Sequence, residues 1–204
     1  MGNLLDFFSG GADEAQPRLK ELRLGQEPAM IMAFTADASE ARLHWIDDPA
    51  VKTFVVCPGK GCPVCHLGSD ATKVWLLPVY DVEGRDVKVL RITMRLQPGG
   101  LGACLIPHLN DKAIAQKVLF VKRDGTNYSV IARPFTPLAD RGEQVVGEFL
   151  AAQRDGLKLE SAFRSMTAVE LSEVPPIANK LAALGSWKAP DADTEAAATG
   201  DGAP

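Results

Sequence analysis

Residues 41–66 read ARLHWIDDPAVKTFVVCPGKGCPVCH, and this stretch decides how the chain is organised. Two runs rich in β-branched and aromatic residues, 41–46 and 51–56, lie on either side of a polar turn at 47–49. This pattern predicts a pair of neighbouring strands. The second strand leads directly into a segment of Gly, Pro and Cys, which predicts a tight, irregular loop at the strand end.

The three cysteines of this loop have the spacing of metal ligands. Cys62 and Cys65 form a C-x₂-C pair, which lets two thiolates reach one tetrahedral ion from a single turn. Cys57 lies five positions upstream. A tetrahedral site needs a fourth ligand, and the candidates are His44, His66, Cys104 and His108.

Among these candidates we favour His44. It lies on the strand that precedes the one carrying Cys57, so a hairpin could bring the two residues side by side. His66 directly follows Cys65, and adjacent ligands are sterically awkward, while Cys104 lies among apolar residues and is typical of a core thiol. We therefore predict one structural Zn²⁺ in a closed site formed by His44, Cys57, Cys62 and Cys65.

Enzymatic interpretations of the same motifs fit less well. A thioredoxin-like C-x₂-C begins a helix in a βαβ unit, and no such context is present. The zinc deaminase signature needs His-x-Glu, which occurs nowhere in the chain. The run 58–61 lacks the glycine and the Ser or Thr of a phosphate-binding P-loop. We expect a protein that is not an enzyme.

Composition excludes several classes of protein. The chain has 204 residues, of which 46% are hydrophobic and 24% charged, as in ordinary globular proteins. No apolar run approaches the roughly 20 residues that span a bilayer. The apolar patch near the N-terminus has no basic region before it, unlike a secretory signal. We expect no membrane partner and a cytoplasmic location.

The rest of the chain divides into four regions by its pattern. Residues 1–26 form a leader, 27–136 a β-rich core, 137–188 a helical region, and 189–204 a disordered acidic tail. The helical region has helical spacing over 141–153 and 158–166, and a last helix that begins at Pro175-Pro176 and ends near Gly185. Further strands are predicted at 28–35, 73–80, 87–96, 117–122 and 127–135, with a short helix within 101–116.

Short strands with turns between them and one intervening helix predict a small barrel. We expect a mainly β protein with accessory helices (α+β), built on a five-stranded OB-type barrel into which the zinc-binding loop is inserted.

Charge is concentrated in the middle of the chain. The formal net charge is −4, but residues 85–133 hold nine basic and three acidic residues, which gives this stretch a net charge of +6. The acidic residues of the tail are Asp191, Asp193, Glu195 and Asp201. A basic middle with an acidic tail indicates an anionic partner for the core.

Cations and aromatic side chains in this basic region are suited to single-stranded nucleic acid, which needs charges along the backbone and planes for bases. Arg91 and Arg95 alternate with apolar residues and are the strongest candidates. Trp75 and Phe120 also fit a core position. The predicted contact residues are Trp75, Tyr80, Lys88, Arg91, Arg95, Lys122, Arg123, Tyr128 and Arg133.

The order His44, twelve residues, Cys57, then Cys62-x₂-Cys65 resembles the zinc subdomain of the T-even-type bacteriophage single-stranded DNA-binding proteins. The gap between the second and third ligands is shorter here, and the similarity covers roughly residues 25–136. The resemblance implies an OB fold that binds and protects single-stranded DNA with little sequence preference in replication, recombination or repair. It also implies an acidic tail that recruits replication or recombination proteins, and a bacterial or phage-infected cell as the setting.

The leader departs from the family's pattern, and a second function also fits the sequence. The leader carries Arg18, Lys20 and Arg23 against four acidic residues, so it lacks the basic character of the family's cooperative arm, although self-association along DNA stays possible. The alternative function is a zinc-stabilised barrel that binds RNA or a protein partner, as a transcription or replication accessory factor.

Overall fold

A computed structural model describes residues 19–35, 37–94, 96–134, 140–185 and 187–188. In these residues the protein is a mixed α+β structure with eight strands and five α-helices. The strands are β1 Ala29–Met32, β2 Ser39–Ile46, β3 Thr53–Val56, β4 Thr72–Asp81, β5 Asp86–Thr93, β6 Lys117–Asp124, β7 Asn127–Pro134 and β8 Arg164–Ser165. The helices are α1 Pro63–His66, α2 Leu101–Leu109, α3 Asp140–Arg154, α4 Ala168–Glu173 and α5 Pro175–Leu184.

The strands form one sheet in the order β7-β6-β1-β4-β2-β3-β8, and β5 pairs with β4 outside this path. The sheet branches at β4, because β5 pairs along residues 74–81 while the other edge of β4 is shared. On that shared edge β2 pairs with residues 72–76 and β1 pairs with residues 80–81. A strand of ten residues is long enough to hold both partners.

The sheet is open, so the five-stranded barrel expected from the sequence is not what the described chain forms. The path runs from β7 to β8, and no pairing joins these two end strands in the described residues. Instead, β8 extends the sheet beyond β3 in parallel orientation. The outer edge of β5 is covered by the N-terminal segment, since Leu22 donates to the carbonyl of Val89 (2.8 Å) and Val89 donates to that of Lys20 (2.9 Å).

The strands predicted from the sequence are all present, with ends that differ by a few residues, and so are the helix within 101–116 and the last helix. Gly185 ends α5 with φ +63°, as a left-handed C-cap. The helix predicted over 158–166 is wrong. A 3-10 turn at Leu159–Ala162 is followed by β8 instead. An extended backbone here lets Phe163 and Met166 enter two different apolar clusters.

Three apolar clusters hold the structure together. The first lies on one sheet face, where residues of α3 and the 3-10 turn cover the strands, and includes Leu43, Leu76, Val89, Phe149, Leu159 and Phe163. The second lies on the opposite face beneath α2 and includes Ile31, Leu77, Leu90, Leu105, Leu119 and Val121. The third joins the β2–β3 hairpin and α1 to α4 and α5, and includes Ile46, Val55, Cys62, Val64, Leu171 and Ile177.

Each cluster therefore fixes a different part of the protein, and the third surrounds the cysteine loop. Within the described ranges, no helix combines the length and the apolar character needed to cross a bilayer.

Candidate functional site

The β2–β3 hairpin places His44 and Cys57 on the same face. His44 is the cross-strand partner of Val55, and Cys57 follows two residues after Val55. The amide of Cys57 donates to the carbonyl of Arg42 (2.8 Å), which continues the ladder by one step beyond β3. Because side chains alternate along a strand, residues 55 and 57 point to the side on which His44 lies.

The loop after Cys57 turns back through two glycines. Gly59 and Gly61 have φ +82° and +80°, a conformation that side chains with a Cβ rarely adopt. The amide of Cys62 donates to the carbonyl of Gly59 (3.1 Å), which closes the turn. Cys62 immediately precedes the one-turn helix α1, which carries Cys65 three positions later and so presents both thiols to one side.

Three separations among the four candidate ligand atoms are close to those of a tetrahedral metal site. His44 Nε2 is 3.3 Å from Cys62 Sγ and 3.4 Å from Cys65 Sγ, and Cys57 Sγ is 3.8 Å from Cys65 Sγ. All four atoms lie within 4.8 Å of one another. A tetrahedral ion with metal–sulfur bonds of about 2.3 Å separates its ligands by about 3.5–3.8 Å. A disulfide needs about 2.05 Å between its sulfurs, so the thiols are free.

The surroundings favour neutral ligands until a cation is bound. Burial raises the pKa of Cys57 and raises the pKa of Cys62 to about 12, while burial lowers the pKa of His44 against the opposing charge of Asp70. Burial disfavours the thiolate forms of Cys57 and Cys62 as long as no cation lies beside them. A bound cation reverses that preference, because coordination deprotonates a thiol outright.

The structure thus brings together the four residues that the spacing predicted as ligands, in a candidate site for one metal ion. The other candidates for the fourth position are outside this group. Cys104 lies on α2, where its thiol donates to the carbonyl of Tyr128 (3.1 Å). His108 lies in the last turn of the same helix.

The C-terminal helices pack directly on the cysteine loop. Cys62 and Val64, 3% and 7% exposed, belong to the third cluster together with residues of α4 and α5. Trp187 packs against the same cluster, and its indole N–H donates to the carbonyl of Gly61 (3.3 Å). The region 137–188 is therefore attached to the sheet partly through this loop.

The β6–β7 hairpin presents three of the predicted cations to solvent. Lys122, Arg123 and Arg133 are exposed. The guanidinium of Arg133 lies 5.4 Å from the ring centre of Phe120, and that of Arg123 lies 6.0 Å from the ring centre of Tyr128. In the described part of the chain none of the three cations forms an ion pair. The register places Phe120, Lys122 and Arg133 on one face of the hairpin and Arg123 and Tyr128 on the other. We call these five residues together the hairpin surface.

Two other predicted cations are already paired. Arg91 forms an ion pair with Glu21 (2.8 Å), and its guanidinium lies 3.9 Å from the ring centre of Phe54. Lys88 pairs with Asp81 at 2.5 Å. Alternation along β5 places Arg91 opposite Leu90 and Ile92 as predicted, but the C-terminal region covers the face that carries Arg91.

The predicted aromatic residues of β4 are less accessible than a base-stacking role requires. Tyr80 is 5% exposed within the first cluster, so its ring offers a base little accessible area in this fold. Trp75 is half-buried and lines a cavity. Arg95 and the tail residues Asp191, Asp193, Glu195 and Asp201 lie outside the described residues.

The sequence interpretation missed other exposed residues. Trp45 is 51% exposed and packs edge-on against Phe54, with ring centres 5.0 Å apart. Arg42 and Lys73 are exposed cross-strand partners on β2 and β4. Strand parity could have grouped Arg42 with His44, but only the sheet register places Lys73 beside it. Comparison with family models, curated proteins and solved structures finds no match for this chain.

Proposed function

We propose that this protein binds single-stranded DNA with little sequence preference and protects it during replication, recombination or repair, without catalysing a reaction. The observation that carries the proposal is the hairpin surface, where exposed cations lie beside aromatic rings. Single-strand binding combines these two elements, since phosphates need positive charge and bases of any sequence can stack on an aromatic plane.

The charge of this surface supports the proposal. Lys122, Arg123 and Arg133 are available to phosphates because no carboxylate of the described chain neutralises them. Phe120 is half-buried and Ile131, its cross-strand partner, is 55% exposed, so the same face offers apolar area between two cations. Cations that must first leave a partner, such as Arg91 beside Glu21, contribute less.

We further propose that the metal is a single Zn²⁺ with a structural role. Three thiolates and one imidazole are a ligand set that suits zinc, and four protein ligands leave no open position for a substrate. The chemistry supplied is coordination alone. His44, Cys57, Cys62 and Cys65 would join the β2–β3 hairpin to the loop and, through the third cluster, to the C-terminal helices.

Partners beyond DNA follow from the acidic tail. We propose that residues 189–204 recruit replication or recombination proteins in the cytoplasm of a bacterial or phage-infected cell, because their four carboxylates carry no compensating cation. Truncation after residue 188 should leave zinc content and DNA affinity at moderate salt intact while abolishing capture of such proteins. If the truncated protein still captures replication or recombination proteins, another surface recruits them.

The main test is fluorescence anisotropy of a labelled oligo-dT at two salt concentrations, with zinc measured on the same sample. Affinity should fall with salt, because phosphate contacts release counterions. Exchanging Lys122 and Arg133 for glutamate should weaken binding strongly, and alanine at both positions should reduce the salt slope by about 1.4. Lys180→Glu, an exposed lysine of α5, is the matched control and should bind as the wild type does.

The alternative function predicts a different result. If the protein recognises RNA or a protein through the same face, exposed apolar residues such as Ile131 and Trp45 serve that partner instead. An RNA oligomer of equal length should then bind more tightly than oligo-dT. One zinc per chain with no binding to either nucleic acid would favour a protein partner.

A further inference from the structure

A half-open cavity of about 290 Å³ lies between α2 and the strands β4 and β5. Its walls are apolar, with the indole of Trp75 on the sheet side and Leu105, Ile106 and Leu109 on the helix side. Asn110, which is exposed, lines it as well and carries a side-chain amide. Sites of this kind, mostly apolar with few polar groups, are typical of small-molecule ligands.

The position of α2 makes this cavity a built feature of the fold. A Cβ at Gly102 would lie 2.9 Å from Leu96 Cδ2 and 3.1 Å from Ile92 Cγ2, so the helix approaches β5 closely at that residue. Glycine permits this approach. The amide of Tyr128 donates to the carbonyl of Gly99 (2.7 Å), which fixes the chain just before the helix.

Two unpaired cations lie beside the cavity on the same sheet face. Lys73 is two residues from Trp75 on β4, so their side chains lie on one face about 7 Å apart. Arg42 is the cross-strand partner of Lys73. Both are exposed, and neither forms an ion pair in the described residues. A carboxylate also lies on this face, at Glu40, the cross-strand partner of Trp75.

We propose that this cavity receives one nucleobase of a bound single strand, which stacks on Trp75, while Arg42 and Lys73 hold the adjacent phosphate. The inference rests on the proposed function and names a contact site separate from the hairpin surface. The Asn110 amide offers both a donor and acceptors, so it can pair with the edge of any base. This explains how binding tolerates different sequences.

The test compares oligo-dT with an abasic oligomer of the same length and charge. Wild type should prefer oligo-dT, and Trp75→Leu should lose about tenfold of its affinity for oligo-dT while its affinity for the abasic oligomer stays unchanged. Equal loss on both oligomers, or no loss on either, would overturn the base-stacking assignment. Zinc content and the melting temperature establish that the variant is folded.

Charge variants test the phosphate contact without disturbing the cavity wall. Lys73→Glu and Arg42→Glu should each weaken binding to both oligomers, and Glu40→Gln should strengthen it, with Lys180→Glu as the matched control. Unchanged affinity in all three, while the hairpin variants still weaken binding, would sink this site and leave the proposed function standing. If wild type binds no oligomer, the proposed function fails first.

A free nucleotide carries the same base and phosphate, so it is a separate arm of the experiment. Thymidine monophosphate should displace labelled oligo-dT only at concentrations far above that of the oligo-dT. Displacement at equal concentration would assign the cavity to a free nucleotide and contradict the proposal that it receives a base of a single strand.

Discussion

Replacing Cys62 with serine, or removing the metal with a chelator at neutral pH, is expected to release the loop from Cys57 to Cys65 and to loosen α4 and α5, while the rest of the sheet stays folded. Serine cannot replace a thiolate as a zinc ligand under these conditions. The local character of the effect follows from the third cluster, which contains Cys62 and Val64 but few residues of the central strands.

The magnitude can be worked out from the loop itself. Ordering the nine residues from Cys57 to Cys65 costs about 9–18 kcal/mol of backbone entropy. Burying the side chains of Cys62 and Val64 returns about 3–6 kcal/mol. Structural zinc contributes about 10–16 kcal/mol, which closes the difference. Without metal, the loop lacks the free energy to stay ordered.

Limited proteolysis with mass mapping measures this directly. New cleavage sites should appear within 57–68 and 166–188 after chelation, while β1 and β4–β7 stay protected. Cys104→Ser is the matched control, because Cys104 lies outside the ligand group and should keep both metal and protection. Two results would contradict a metal that holds the cysteine loop and the C-terminal helices. One is that the chelated protein is cleaved in the same way as the metal-bound protein, and the other is that Cys104→Ser loses metal as Cys62→Ser does.

Three further predictions concern stability, measured by chemical denaturation. Gly102→Ala should lower the free energy of unfolding by about 1–3 kcal/mol, because the added methyl group overpacks the contact between α2 and β5. At Gly147 of α3 an added Cβ meets nothing within 4 Å, so Gly147→Ala should raise the free energy of unfolding by up to about 1 kcal/mol. Equal effects of the two substitutions would contradict the close approach of α2. Burial raises the pKa of Asp81, but the ion pair with Lys88 and the backbone N–H groups lower it by a larger amount. The pKa of Asp81 is therefore lowered overall. Asp81→Asn should therefore cost about 1 kcal/mol near pH 7, and this difference should disappear as the pH falls below about 4; a difference independent of pH would rule out the ion pair as its cause. Thr167→Ala removes the capping box of α4 and should cost about 1 kcal/mol, so an unchanged midpoint would show that the cap is dispensable.

Local patterns in the sequence predicted the strands because their determinants are local. The β6–β7 hairpin has short apolar runs on either side of a turn at Gly125, whose φ of +58° suits glycine. The helix prediction for residues 158–166 failed because their conformation is set by a distant segment. Their apolar spacing is compatible with a helix, but pairing of β8 with β3, more than one hundred residues away, imposed an extended backbone.

For the predicted DNA-contacting residues, too, the local pattern was predictable and the segments that cover them were not. Alternation along β5 correctly placed Arg91 opposite Leu90, but alternation identifies a face without saying what covers it. Residues of α3 and the 3-10 turn, together with Glu21, cover the face that carries Arg91. Tyr80 was predicted to contact DNA and is instead enclosed by the same cluster.

By itself, the sequence determined the strand pattern and the four candidate metal ligands, because hairpin pairing and a C-x₂-C turn act over short separations along the chain. Tertiary structure alone decided that the sheet is open, that Arg91 is paired, and that Arg42 and Lys73 lie beside the Trp75 cavity. These features depend on contacts between distant segments, whose free energies arise only when the chain has folded.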